Sequence, residues 1–452
     1  MNKQKTKEPY DAMEELRPQC LNPELEPLAH ELYDLSVKGS EPVWDELSEE
    51  AFKASPELRE KFLTASHSGM NDAQKKIIEF VGSEEPLSKS HEVLFHGIAD
   101  AMAWQLIGHQ LCHARRFYKE QSPVNLKESN FESVVFCAED MARKNPGSIS
   151  VISDLTSFVQ VGDLLTMDSR GGITIVEVKE GKKNHEIMEF LNFFAETQCP
   201  RAFENFAREH GKSGVKQLQR MMRQMQRMGH VTEVMETGKS LDPDTDQHIS
   251  IPDEFIYIGK WDDELNEVLE GSDAKSWAIK DVDDCLFIGA YSKEAMKGFG
   301  HFAFNAWLES FEGGIGSPRF RLIDSMSGPL ALPVFNLNIT EQHKFDLLFG
   351  RKHVCLGLNI SAFLEKLKAE GIKVREATNK EVSQMEQKGA HPYKWNGKAI
   401  YLGNGKEEML LMDGIFMRIF FHGQRPVDTV KAVLGNLPSE QSETEPPKGA
   451  NE

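Results

Sequence analysis

The spacing of apolar positions divides the chain into regimes. Between residues 89 and 119, Val93, Leu94, Ile98, Met102, Leu106 and Ile107 recur at helical spacing behind Ser88 and Ser90, either of which can cap a first turn, so one long helix is predicted. Before it, residues 1–60 show short helical patterns cut by Pro23, Pro27, Pro42 and Pro56; with fifteen acids against seven bases they read as a helical, solvated opening. Residues 1–125 are therefore expected to be an all-α N-terminal region. From 126 the pattern changes to a helix at 129–143, a turn at Pro146-Gly147, strand-like runs at 148–153, 158–168 and 172–180, and helices at 185–210 and 213–229. This defines an α/β unit over 126–236. Residues 237–250 lack periodicity and are dense in turn formers, which predicts a linker or loop. Beyond them, strands at 255–258, 285–288 and 400–402 and helices at 360–370 and 427–434 predict an α+β domain over 251–437. The polar, proline-rich residues 438–452 are expected to be disordered. The predicted class is α/β, multidomain α+β.

Composition narrows the function. The 452 residues carry 52 Lys plus Arg and 71 Asp plus Glu, a net charge of −19, with 40% hydrophobic residues. Such a chain is repelled by phosphate backbones and anionic membranes as a whole, so any nucleic-acid role needs a local basic patch. The six cysteines (Cys20, Cys112, Cys137, Cys199, Cys285 and Cys355) include no Cys-x-x-Cys pair, which argues for reduced thiols over a zinc ribbon or disulfide framework. The start lacks the apolar core of a signal peptide, and the run from Met409 to Phe421 is broken by Asp413 and Arg418. A cytoplasmic protein that spans no membrane is expected.

The informative stretch is Phe158 to Asn184. A three-residue loop Ser169-Arg170-Gly171, with Gly171 left-handed, pairs Asp168 with Gly172 and, counting back, sets Asp163 opposite Glu177. Strand alternation then puts Glu177 and Lys179 on one face, so an Asp, a Glu and a Lys converge. Facing carboxylates at the end of an apolar strand repel unless a cation intervenes, and Mg²⁺ (or Mn²⁺) suits oxygen ligands. A lysine beside such a metal can orient a water for attack on a phosphodiester.

With Asp163 and the triplet Glu177-Val178-Lys179, the segment resembles the PD-(D/E)XK nuclease superfamily over about residues 126–230. The resemblance implies a restriction-endonuclease-like α-β-β-β-α-β core, with Asp163 and Glu177 as metal ligands and Lys179 as a catalytic residue. It also points to Glu132, within Asn130-Phe131-Glu132, as a supporting acid on the first core helix, and to Gln217 on the helix after the triplet. Gly162 stands where the family often has a proline. The implied activity is Mg²⁺-dependent phosphodiester hydrolysis, endonucleolytic, on DNA before RNA. The family's members serve in restriction, repair and antiphage defence.

The basic patch lies beside this motif. From Cys199 to His230 there are seven bases and two acids, a local charge of +5, and Lys212, Lys216, Arg220, Arg223 and Arg227 step by 4, 4, 3 and 4 along one helical face. Together with Lys182 and Lys183 they are candidates for phosphate contact. Val215, Leu218, Met222 and Met225 form a second stripe suited to packing on the sheet. His109, Cys112 and His113 read as packing within the long helix rather than as a metal site. The alternative function is a nucleic-acid-binding or scaffolding protein that keeps the fold without cleavage; a homo-oligomer or protein partner is left to the N- or C-terminal regions.

Overall fold

The computed structural model describes residues 20–44, 52, 55–127, 131–179, 181–243, 248–251, 258–292, 294–387, 392–405 and 407–435. The expected strand at 255–258 and the tail at 438–452 fall wholly or almost wholly outside them.

In the opening region α1 (Glu26–Ser36) buries Ala29, Leu32 and Tyr33, so it packs instead of lying solvated. Ser55 caps α2 (Pro56–Gly82) by accepting from the Leu58 N–H, and Pro56 presets the first turn. Ser88 likewise caps α3 (Lys89–Leu106). The long helix expected to reach 119 ends at Leu106, because Gly108 and His109 turn left-handed (φ 61° and 55°) and α4 (Leu111–Phe117) starts afresh.

These helices clamp the sheet that follows. On one face of α2, His67 Nδ1 lies 2.7 Å from the Gly147 carbonyl and Asn71 donates to the Ser148 carbonyl. One turn further on, the Gln74 amide donates to the Ser150 carbonyl (2.9 Å) and accepts from the Ile152 N–H (2.8 Å). On α3, His96 Nδ1 lies 2.8 Å from the Leu155 carbonyl, and Asp100 accepts from both the N–H and the hydroxyl of Ser157. Burial pushes the Asp100 carboxyl up to about 7, with the Ser157 bonds pulling the other way. The result is one unit over Glu24–Ile251. The predicted boundary near 125 does not separate two bodies, because side chains of α2 and α3 satisfy backbone groups of the sheet.

The sheet is antiparallel in the order β1 (Ile149–Ile152), β2 (Leu164–Met167), β3 (Ile173–Val176), and α5 (Glu132–Lys144) lies against β1. Residues 158–163, expected to begin β2, are irregular, with Phe158, Val159 and Val161 buried. After β3 come α6 (Lys182–Thr197) and α7 (Pro200–Thr237), parted at Gln198 (φ 47°) ahead of Pro200. Gly211 (φ 62°, ψ −170°) kinks α7 near the expected break at 211–212. Ile187, Leu191, Phe206, Leu218 and Met221 form the core between α6 and α7. The stripe expected to pack on the sheet is thus shifted: Met221 is buried and Met225 is 44% exposed.

The restriction-endonuclease-like core calls for a strand after the helices, and here the structure differs. Helix α7 continues to Thr237, Gly238 (φ 70°) reverses the chain, and β4 (Lys239–Leu241) pairs with β5 (His248–Ser250) in the segment predicted as a loop. Among the described residues no fourth strand joins β1–β2–β3.

The second unit is likewise mixed. Its first helix is α8 (Asp262–Lys275). An antiparallel sheet in the order β6 (Trp277–Val282), β7 (Leu286–Tyr291), β9 (His353–Leu358), β8 (Arg319–Arg321) forms its centre. A smaller sheet joins β10 (Lys373–Glu376), β12 (Lys398–Gly403) and β11 (Lys394–Trp395), with β13 (Glu408–Leu410) on β12. Helices at Ile360–Ala369 and Pro426–Gly435 match the predicted ones. Among the described residues no helix is long and apolar enough to cross a membrane.

Candidate active site

The hairpin that builds the site has the predicted loop. Gly171 is left-handed (φ 89°), the Asp168 N–H donates to the Gly172 carbonyl (3.1 Å), and the Asp168 carboxylate accepts from the N–H groups of Arg170 and Gly172. The register runs Met167 to Ile173 through Leu164 to Val176, which leaves Asp163 and Glu177 as the next residues on the two strands.

Gly162 explains how Asp163 is held. Its φ is 79°, and a Cβ there would come within 2.3 Å of Ile175 Cγ2 and 3.1 Å of the Val176 carbonyl. Only glycine lets the chain pass so close to β3. The Asp163 N–H then donates to the Val176 carbonyl (2.7 Å), and its carbonyl accepts from the Ser153 N–H (3.0 Å). Where a proline would remove a donor and fix φ near −65°, the turn here needs a positive φ.

Asp163 Oδ2 accepts from the Val178 N–H at 2.6 Å. Its carboxyl is held above the ordinary aspartate range, first by burial and then by the charge of Glu177; the Val178 bond and Lys179 oppose this, and Asp154 adds to it. Glu177 and Lys179 do not share a strand face as predicted, because β3 ends at Val176. They meet across the loop instead: Lys179 Nζ bonds Glu177 Oε1 and also donates to Gln224 Oε1 (3.1 Å), with Glu177 15% and Lys179 18% exposed.

The other predicted residues are placed differently. Glu132 is exposed in the first turn of α5 and, among the described residues, makes no hydrogen bond or ion pair with the cluster. Gln217 donates to Asn184 Oδ1 (3.0 Å) and so ties α7 to α6 without touching Lys179. The glutamine that does touch it, Gln224, lies two helical turns later on the same face, which was the available signal. Asp154 was also missed; it follows Ser153, whose N–H pairs with the Asp163 carbonyl. Lys182 is exposed beside Glu186, and Lys183 donates to Ser213 Oγ (3.3 Å). Lys212, Lys216, Arg220 and Arg223 are exposed and Arg227 is half-buried.

Among the described residues no group of three or more His, Cys, Asp or Glu side chains could hold a metal. His109, Cys112 and His113 form no such group: the helix break at Gly108 and His109 intervenes. The pair Asp163 and Glu177 is a smaller donor set. Its mutual repulsion, felt in the raised Asp163, is what a hard cation relieves, and Mg²⁺ commonly takes one or two carboxylates and keeps its waters. No family model, curated protein or solved structure matches the chain.

Proposed function

We propose that the chain is a metal-dependent nuclease. The observation that carries this reading is the bond from Lys179 to Gln224, which joins the Asp163/Glu177 pair to the helix bearing the basic stripe. Acid pair, lysine and cationic track thereby form one site, the combination phosphodiester hydrolysis needs. Asp163 and Glu177 would hold Mg²⁺ or Mn²⁺. When bound, the ion supplies a Lewis acid for the negative charge that develops on the phosphate.

The chain's own groups do the rest. Val178 N–H fixes the Asp163 carboxylate, and Gln224 and Glu177 hold the Lys179 ammonium where it can orient a water or a phosphate oxygen. Arg220 and Arg223 precede Gln224 on α7 and would present positive charge to a nucleic-acid strand. The preference for DNA, the endonucleolytic mode and a role in restriction, repair or antiphage defence come from the superfamily resemblance.

The test incubates the full chain with plasmid, linear and single-stranded DNA and with RNA, in Mg²⁺, Mn²⁺ or chelator, beside Lys179→Ala. Metal-dependent cleavage lost in a folded Lys179→Ala supports the reading. Binding without cleavage under every condition favours the non-catalytic alternative.

A further inference from the structure

We infer that the open groove along the face of α7 is a phosphate-binding subsite, separate from the position of cleavage. This rests on the nuclease reading for the identity of the strand, though not for the binding itself. The groove has a volume of about 480 Å³ and is lined by Lys212, Ser213, Lys216, Gln217 and Arg220. Its lining holds three cations, a hydroxyl and an amide, and no carboxylate.

The three cations are exposed and, among the described residues, have no ion-pair partner. Lys280, Lys366 and Lys431 each sit on a carboxylate in this chain of net charge −19, but the groove's three cations do not. Three like charges on adjacent turns repel one another, so the groove is electrostatically incomplete and favours a polyvalent anion. Lysine and arginine with a hydroxyl and an amide donor form the set that contacts phosphate oxygens.

Two hydrogen bonds tie the groove to α6. Lys183 donates to Ser213 and Gln217 donates to Asn184, and both partners lie in the first turn of α6, just after Lys179. From Lys216 to Gln224 the helix rises about 12 Å at 1.5 Å per residue. A phosphate in the groove therefore lies roughly three to four nucleotides along a stacked strand from the scissile one, at about 3.4 Å per nucleotide. The groove sets the register of the strand on the site. Its phosphate is either an internal diester or a terminal monoester.

The test is equilibrium binding to the full chain in chelator, where no metal-dependent cleavage occurs. Inorganic phosphate, and short duplexes with a 5′-phosphate, a 3′-phosphate or hydroxyl ends, are titrated into the wild type and into Lys216→Glu/Arg220→Glu. The inference requires that inorganic phosphate competes with the duplex and that the variant, with an unchanged circular dichroism spectrum, binds about tenfold or more weakly. If only phosphate-ended duplexes lose affinity in the variant, the phosphate is terminal; equal loss for all ends makes it internal. Wild-type affinity in the folded variant, or no competition by phosphate, overturns the subsite. A failure of the nuclease reading shows elsewhere, as absence of cleavage by the wild type in Mg²⁺ while this binding persists.

Discussion

Replacing Gly162 with alanine probes the link between backbone and site. Two costs follow from its geometry. A non-glycine residue at φ 79° costs about 1–2 kcal/mol, and a Cβ placed 2.3 Å from Ile175 Cγ2 forces a packed neighbour to move, about 1–3 kcal/mol more. Ile175 is only 8% exposed, so it has little room to yield. Gly162→Ala is therefore expected to destabilise the β2–β3 hairpin by roughly 2–5 kcal/mol. Ile175→Ala alone should cost about 2–4 kcal/mol, yet the double variant should fall short of the sum, because the clash term vanishes when Cγ2 is gone. Hydrogen exchange reads this locally: protection should drop at the Asp163 and Val178 amides, which bond the Val176 carbonyl and the Asp163 carboxylate. Additive losses, or a Gly162→Ala hairpin within about 0.5 kcal/mol of wild type, would refute the reasoning.

Gln224→Leu should lower kcat by roughly 10- to 100-fold with little change in KM, since it unseats Lys179 without removing it; single-turnover kinetics on a cleavable substrate decides this, and an unchanged kcat removes Gln224 from the site. Arg220→Glu/Arg223→Glu should weaken nucleic-acid binding and make the slope of log affinity against log salt shallower by about one unit per lost contact, whereas Lys366→Glu/Lys368→Glu should not. Isothermal calorimetry should show Mg²⁺ binding to the wild type that disappears in a folded Asp163→Ala/Glu177→Ala variant. The contribution of Asp100 to the stability of the first unit should fall with rising pH: its carboxyl titrates near 7 when folded against an ordinary 3.8, so the fold holds the extra proton, and the stabilisation present below about pH 4 is lost as the pH rises through about 7. Urea unfolding of the wild type and of Asp100→Asn at pH 5 and pH 8 separates this from the buried His67 and His96, which favour the fold as the pH rises; a stability difference between the two proteins that is the same at both pH values would mean that Asp100 ionises freely.

Much of the site was legible because local rules determine it. Loop length and a left-handed glycine set the hairpin register, and register alone sets Asp163 against Glu177. The helical step of the basic residues was likewise visible in their spacing. What eluded the sequence depends on contacts between distant segments. Where β3 ends, and hence how Glu177 meets Lys179, is decided after the last paired residue, where no periodicity speaks. Gln217 and Gln224 share a face of α7, and only the packing of that helix on the loop selects the second. The break at Gly108 was hidden by an apolar spacing that runs across it, and the strand expected after the helices gave way to a hairpin because α7 continues, with Val231 and Val234 buried, to the reversal at Gly238.

The Gln74 amide, bonded to Ser150 and Ile152, occupies the free edge of β1 as a neighbouring strand would. This bears on how the chain is made. The edge that would template pairing with another molecule is closed by a side chain synthesised well before it. Gln74 precedes Ser150 by 76 residues, so at about 5–20 residues per second α2 waits about 4–15 s on the ribosome for the strand it seals. During that interval the helix stands without its partner, and the order of synthesis favours protecting the sheet from other chains as soon as it forms.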